Sequence, residues 1–382
     1  MNEEITVEQL DALPSGSYTL IDMRDEYSFS FGHVDGAVNI PNERLLSEEL
    51  PRDKKLVICC RSGIISAQTA DELCEKGYDA VNLVGGYADW LRKHIDDSSK
   101  AEDIERSIRK KFARTLWSRF AKAVIEFELV KPGDKIAVCI SGGKDSYCMA
   151  KLFQELKSHN KFPFELVFLV MDPGYSPENR AIIEKNAQLM NIPITIFETD
   201  IFRSVYNVKD SACYLCARMR RGHLYNKAKE LGCNKIALGH HYDDVIETIL
   251  MSMLYGGQVR TMMPKLHSDN FEGMELIRPL YYVREDEIKH WRDYNNLHFI
   301  QCACRFTDTC TTCTPTGTGS KRVEIKNLIA ELKKTNVQVE ANIFRSIENV
   351  NLNAVIRYKD KGVWHSFLDD YDDCGICENE EQ

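Results

Sequence analysis

Residues 135–157 read KIAVCISGGKDSYCMAKLFQELK, and this stretch decides the fold. Lys135–Ile140 is a short apolar run, the pattern of a buried strand. Tyr147–Lys157 reads as a helix. Between them stands Ser141-Gly142-Gly143-Lys144-Asp145-Ser146. Two glycines let the backbone turn tightly and aim N–H groups inward, and the next helix offers its positive end. Lys144 adds a point charge suited to phosphate. The spacing is neither the Walker G-x-x-x-x-G-K-S/T nor the dinucleotide G-x-G-x-x-G.

Outward from this loop, strands alternate with helices. Strands are expected at Glu165–Met171, Ile194–Glu198 and Lys235–Leu238, with helices at Pro177–Met190 and Asp244–Leu254. Such alternation predicts a doubly wound parallel sheet, and hence the α/β class. Asp172 follows a strand and falls at the C-terminal edge of the sheet, where α/β ligands bind. Gly239-His240-His241-Tyr242-Asp243-Asp244 follows another strand.

Toward the N-terminus, residues 104–124 carry Ile104, Ile108, Phe112, Leu116, Phe120 and Val124 at four-residue spacing, one apolar stripe of a helix. The opposite face carries Arg106, Arg109, Lys110, Arg114, Arg119 and Lys122. A solvated face is favoured there over a phosphate-contacting one. Residues 5–95 form a second alternating unit, with runs at Tyr18–Asp22, Ala37–Ile40, Leu56–Cys59 and Val81–Leu83. The expected division is 1–97, a linker with the basic helix at 98–130, the main domain at 131–356, and an acidic, cysteine-containing tail at 357–382. A helix is expected at Lys321–Lys334, after a Thr- and Gly-rich loop at Thr309–Ser320.

With 382 residues the chain is long enough for two or three domains. No run of about 18 apolar residues predicts a membrane span. The acidic start lacks a secretory h-region, so a cytoplasmic location is expected. The net charge of -9 is uneven. Residues 1–97 hold 9 basic against 19 acidic side chains and the last fourteen hold 7 acidic, which leaves the middle at +8. That balance permits nucleic-acid binding. Fourteen cysteines in a reducing compartment do not read as disulfides; metal ligands, nucleophiles and packing residues fit better. Cys213 and Cys216 form a C-x-x-C that suits zinc, an iron–sulfur cluster or a redox pair. The pairs Cys310/Cys313 and Cys374/Cys377 leave zinc binding, sulfur relay and incidental thiols open. Cys139, Cys148 and Cys233 read as packing residues.

Ser141–Ser146 resembles the signature of the PP-loop ATPase family. The resemblance implies an adenine nucleotide alpha hydrolase-like fold that cleaves ATP between the α and β phosphates and adenylates a carbonyl oxygen. It places the pyrophosphate on Ser141, Gly142, Gly143, Lys144, Asp145 and Ser146, with Asp172, Gly239 and Asp244 completing the nucleotide site. Asp243 and Asp244 are oxygen candidates for Mg2+. Residues 213–257, with Ile277–Leu280 and Phe299–Cys304, resemble the two-thiocytidine tRNA synthetase branch of that family. This implies a 4Fe-4S cluster on Cys213, Cys216 and either Cys304 or Cys302, with tRNA as substrate and a homodimer as the assembly.

Four ordered motifs, Leu20–Arg24, Gly32–Pro41, Val57–Gly63 and Val84–Trp90, resemble a single rhodanese domain. Cys60 matches the family nucleophile, and Cys59 reads as its buried strand neighbour. The loop Arg61–Ser66, leading into a helix near Ala67, would stabilise a persulfide anion. Ile65 stands where that family often has Arg, which favours a persulfide relay over thiosulfate chemistry. The candidate catalytic residues are Cys60, Lys144 and Asp145. Together these resemblances imply an ATP-dependent tRNA sulfurtransferase that receives sulfur from a persulfide donor such as a cysteine desulfurase. Thiolation of another base or a small molecule, amine chemistry and a non-catalytic sulfur sensor are the alternatives.

Overall fold

The computed structural model describes residues 4–14, 16–94, 101–159, 161–202, 212–300, 321–369 and 371. Nothing is described for the side chains of Phe31, Ala212, Cys213, Tyr214, Cys216 and Ala217. The chain divides into two compact units. One comprises Met1–Val245 with Met263–Glu324, and the other Ile246–Met262 with Ile325–Gln382.

The first unit holds two sheets. The N-terminal sheet joins β1 (Glu4–Ile5), β2 (Tyr18–Asp22), β3 (Val38–Asn39), β4 (Lys55–Cys59) and β5 (Ala80–Leu83). They run in the order β1-β5-β4-β2-β3, every pair parallel. Leu56, Ile58, Ile21, Leu73 and Leu45 build its core.

The second sheet comprises β6 (Lys135–Ile140), β7 (Glu165–Asp172), β8 (Ile194–Glu198), β9 (Lys235–Ala237), β10 (Lys265–His267) and β11 (Glu275–Ile277). Their order is β10-β11-β9-β6-β7-β8, parallel except for the β10–β11 edge pair. Five of the six β6 residues are buried, as a central parallel strand requires. From β6 the chain moves to β7 and β8 on one side, then returns to β9 on the other. The crevice beyond the C-terminal ends of β6 and β9 is therefore the topological switch point, where open α/β sheets bind ligands.

The four-residue stripe is buried throughout, but it does not lie on one continuous α-helix. Helices Ala101–Arg109 and Ser118–Glu126 flank a π-helical turn at Ala113–Trp117. Each four-residue step overshoots a 3.6-residue turn by about 40°. The wider π turn brings Phe112, Leu116 and Phe120 back to one side. The segment read as an acidic tail opens with a hairpin in the second unit, β12 (Arg357–Asp360) paired antiparallel with β13 (Val363–Ser366). The expected helix after residue 320 spans Lys321–Thr335. The loop at 309–320 lies outside the described residues. No described helix is long and apolar enough to cross a membrane.

One charged group anchors the base of the second sheet. Lys235 is 2% exposed; its Nζ lies 2.7 Å from Asp134 Oδ2 and 3.1 Å from Glu275 Oε2, and donates to the Leu129 carbonyl at 3.0 Å. Burial alone would raise the Asp134 carboxyl. Lys235, Asn234 and the Lys131 amide outweigh it and hold the carboxyl below its usual value. Lys235→Met strands two carboxylates without their buried cation, so a loss of roughly 3–5 kcal/mol in urea denaturation is expected. The Asp134 contribution is present above the ordinary aspartate pKa and is lost as pH falls through the lowered one. The gap between wild type and variant should therefore begin to narrow as pH falls below about 3.9 and close only below the lowered Asp134 value.

Candidate nucleotide and sulfur-transfer sites

The loop at 141–146 leaves β6 and enters the helix Lys144–His159. Ser146 staples it. Its Oγ donates to the Gly143 carbonyl at 2.8 Å and accepts from the Ser141 amide at 3.2 Å. Gly142 has φ +90°, a conformation that disfavours a side chain, and a Cβ there would stand 2.8 Å from Ile300 Cγ1 and 2.9 Å from Ile183 Cγ1. Gly239, just past β9, approaches the loop from the far side of the crevice. A Cβ on it would lie 3.3 Å from the Asp145 carbonyl carbon and the Ser146 nitrogen. Gly239 thus permits close backbone approach at the switch point, and Gly142 leaves room for the Ile300 and Ile183 side chains.

Lys144 is buried, with Nζ 3.0 Å from Glu285 Oε1 and 3.1 Å from Asp145 Oδ2. Burial alone would depress its ammonium, but Asp145 and Glu285 hold the pKa above the usual lysine value. Lys144 is therefore an ion-paired cation in this state. Glu285 comes from the first turn of the helix Glu285–Tyr294, 141 residues away in the chain, and no local pattern marks it. Asp145 Oδ1 is buried, and its ion-pair partner is the same Lys144 Nζ, 3.1 Å away.

Asp172 ends β7 with its carboxylate occupied. Oδ1 accepts from the amides of Gly174 (2.8 Å) and Tyr175 (2.6 Å), and Oδ2 pairs with Arg180 Nη1 (3.1 Å). Its present work is to shape the turn after the strand. Asp243 Oδ2 accepts from the Glu285 amide at 2.7 Å, and Oδ1 pairs with Arg284 at 2.9 Å. Asp244 Oδ2 accepts from the His241 amide at 3.0 Å, and Oδ1 lies 3.1 Å from Arg322 Nη1. Burial would raise the Asp244 carboxyl, yet His241, Arg322 and His240 together hold it below the usual value. Burial pushes His240 down to about 4, so it is neutral near pH 7. Nearby Arg278, in the Ile277–Leu280 block, is lowered to about 10 by burial and then by Arg221. Its Nε has no hydrogen-bond partner among the described residues.

Cys213 and Cys216 stand one turn apart in the helix Ala212–Glu230, and their side chains are not described. Cys302, Cys304, Cys310, Cys313, Cys374 and Cys377 lie outside the described residues. Among the described residues no three His, Cys, Asp or Glu side chains converge as a metal site. The donors nonetheless suit the implied groups differently. Two close-packed glycines and a helix N-terminus fit a nucleotide phosphate, and the Asp145 carboxylate, an oxygen donor at the loop that is ion-paired with Lys144, is of the hard class that magnesium takes. Thiolates at i and i+3 are of the soft class that iron–sulfur clusters take.

In the N-terminal sheet, Cys60 follows β4 and is buried. The helix begins at Ile64, three residues before its expected start, because Gly63 adopts φ +80° and turns the chain at once. A Cβ on Gly63 would stand 2.7 Å from the Gly85 nitrogen. Two donors face the sulfur, the Ser66 amide at 3.4 Å and the Ser66 hydroxyl at 3.1 Å. That hydroxyl is also 2.8 Å from Asn82 Oδ1, so one proton serves two acceptors. Ile65 is 45% exposed, an apolar side chain on the rim of the loop. On the basic helical face, Arg106, Arg109 and Lys122 pair with Asp103, Glu105 and Glu126, which agrees with a solvated surface.

Residues 108–305 match the family described as PP-loop domain, and residues 6–93 match the rhodanese-like domain. The chain belongs to the PP-loop family. It is 40% identical over 198 residues to a tRNA-cytidine(32) 2-sulfurtransferase of Neisseria meningitidis serogroup C, covering 50% of this chain and 61% of that relative. A protein of the same name from Geobacter sulfurreducens is 37% identical over 232 residues, covering 60% of this chain and 87% of its own. The chain thus spans 61% of the Neisseria relative's length. Among solved structures, the U34-tRNA thiolase NcsA from Methanococcus maripaludis with its 4Fe-4S cluster aligns at 20% identity and a TM-score of 0.46, over 68% of this chain and 84% of that one.

Burial pushes the thiol of Cys139 up to about 12, and those of Cys59 and Cys148 well above the usual value. Alkylation needs the thiolate. Iodoacetamide at about pH 8 should therefore modify Cys60 before Cys59, Cys139 or Cys148 in peptide mass maps. Earlier modification of Cys59, Cys139 or Cys148 would contradict the expectation that Cys60 is the nucleophile.

Proposed function

We propose that this chain is an ATP-dependent tRNA sulfurtransferase that activates a cytidine at C2 and replaces its oxygen with sulfur delivered through Cys60. One observation carries the reading: the Gly142 loop and Gly239 close on each other at the switch point, in a chain that also presents Cys60 to two donors from Ser66. The names of the curated relatives supply the base and the polymer.

In the first half-reaction the base carbonyl oxygen attacks the α-phosphate of ATP and pyrophosphate leaves. The amides that open the helix at Lys144 receive the phosphate charge, and Asp145 and Asp244 are the candidates to hold Mg2+. Lys144 steadies the loop through Glu285 and can turn to a phosphate that competes for it. In the second half-reaction sulfur adds at C2 and AMP departs with the former carbonyl oxygen. A persulfide on Cys60 would be held by the Ser66 amide and hydroxyl. Its outer sulfur is at the sulfane level, so release as sulfide takes two electrons, which a thiol supplies by becoming a disulfide. A 4Fe-4S cluster on Cys213, Cys216 and Cys302 or Cys304 would supply an open thiophilic iron. We further propose a cytoplasmic homodimer loaded by an enzyme of the cysteine desulfurase class, with the rhodanese-like segment at 1–97 and the catalytic domain at 131–356.

Two experiments test this. Nucleoside mass spectrometry of tRNA from a deletion strain should lack 2-thiocytidine, restored by the wild-type gene and not by Cys60→Ser. An unchanged thionucleoside profile overturns the tRNA assignment. Gly142→Ala forces a Cβ into Ile300 and Ile183 at a positive φ, so ATP affinity by calorimetry should fall at least ~10-fold while far-UV circular dichroism is retained.

A further inference from the structure

The helix Gly86–His94 starts on the sulfur loop. The Tyr87 amide donates to the Cys60 carbonyl at 2.9 Å, and the Ala88 amide to the Arg61 carbonyl at 3.0 Å. A Cβ on Gly86 would stand 2.7 Å from the Gly63 nitrogen, so this helix start and the loop are packed backbone to backbone. The same helix then leaves its own domain and packs against the helix Pro177–Leu189. Lys185 Nζ donates to the Arg92 carbonyl at 3.0 Å. The Trp90 ring meets His298 edge to face, with centroids 5.7 Å apart.

Those two partners are also the ones that close on the nucleotide loop. Asn186, one residue beyond Lys185, donates through Nδ2 to the His298 carbonyl at 2.9 Å, tying helix and segment together. Phe299 stacks on Tyr147 at 5.3 Å, and Tyr147 Oη donates to the Ile183 carbonyl at 2.5 Å. Ile300 and Ile183 supply the atoms nearest to where a Gly142 Cβ would stand. Packing therefore runs without a gap from Cys60, through Gly86–His94, to Ile183 and Ile300 over Gly142. A passive domain contact would require only that the two surfaces fit. Here the helix Pro177–Leu189 and the segment at 298–300, which receive the N-terminal helix, also seat the loop.

We propose that the rhodanese-like domain positions the nucleotide loop. Trp90, Lys185 and His298 are positioning residues, and docking of Gly86–His94 is coupled to nucleotide binding at 141–146. The inference rests on the reading of that loop as the ATP site. Coupling of this kind is reciprocal: if docking favours nucleotide, nucleotide must favour docking by the same factor. Substrate activation would then be felt at the loop that carries sulfur.

Hydrogen exchange of the unmodified full chain, with and without a non-hydrolysable ATP analogue, tests it. The expected result is slower exchange at 141–146 together with 86–94 and 60–66. The double variant Lys185→Ala, His298→Ala alters half-buried junction residues, and should weaken ATP binding roughly fivefold or more and abolish the protection at 86–94. Protection confined to 141–146, with unchanged affinity in the variant, overturns the coupling and leaves the nucleotide site standing. A wild type that binds no nucleotide overturns both.

Discussion

Two absent methyl groups set the geometry on which the rest depends. At Gly142 a Cβ would collide with Ile300 and Ile183, and at Gly239 it would crowd the backbone of Asp145 and Ser146. Because neither is present, Ile300 and Ile183 seat against the loop after β6, and the chain leaving β9 approaches the backbone at the start of the Lys144–His159 helix. Side chains that bring charge to this crevice are paired beforehand: Lys144 with Glu285, Asp243 with Arg284, and Asp244 with Arg322. Pre-paired charges avoid the large cost of burying a lone ion, and they can exchange partners when a polyanion arrives.

The Cys60 loop of the smaller sheet is built by the same device. Gly63 and Gly86 bring the turn after Cys60 against the start of a second helix, and Ser66 aims its amide and hydroxyl at the sulfur. On the proposed function, a single chain that carries both loops would turn the meeting of activated base and sulfur donor into an intramolecular event. Tethering alone can raise effective concentration to the millimolar range. The contiguous path of packed residues, proposed as a coupling, would go further, letting one loop bias the other.

Much of this was legible in the residues because local chemistry dictates it. An apolar run, two glycines and a polar cluster specify strand, turn and helix at 135–157, and the strands Lys135–Ile140 and Ile194–Glu198 stand where their patterns place them. Legibility ended where distance in sequence began. Glu285 reaches Lys144 across 141 positions, and Ile300 meets Gly142 only through the fold. The stripe from Ile104 to Val124 has the right side chains but a spacing that an α-helix cannot keep, so the π turn is a tertiary compromise. The strands Arg357–Asp360 and Val363–Ser366 lie beside an acidic run that masked their alternation.

The most direct measurement is a crystal structure of the full chain grown with a non-hydrolysable ATP analogue. The triphosphate should accept hydrogen bonds from backbone amides within residues 142–146, with the adenosine toward Gly239. A triphosphate seated away from the ends of β6 and β9 would contradict the assignment of that crevice.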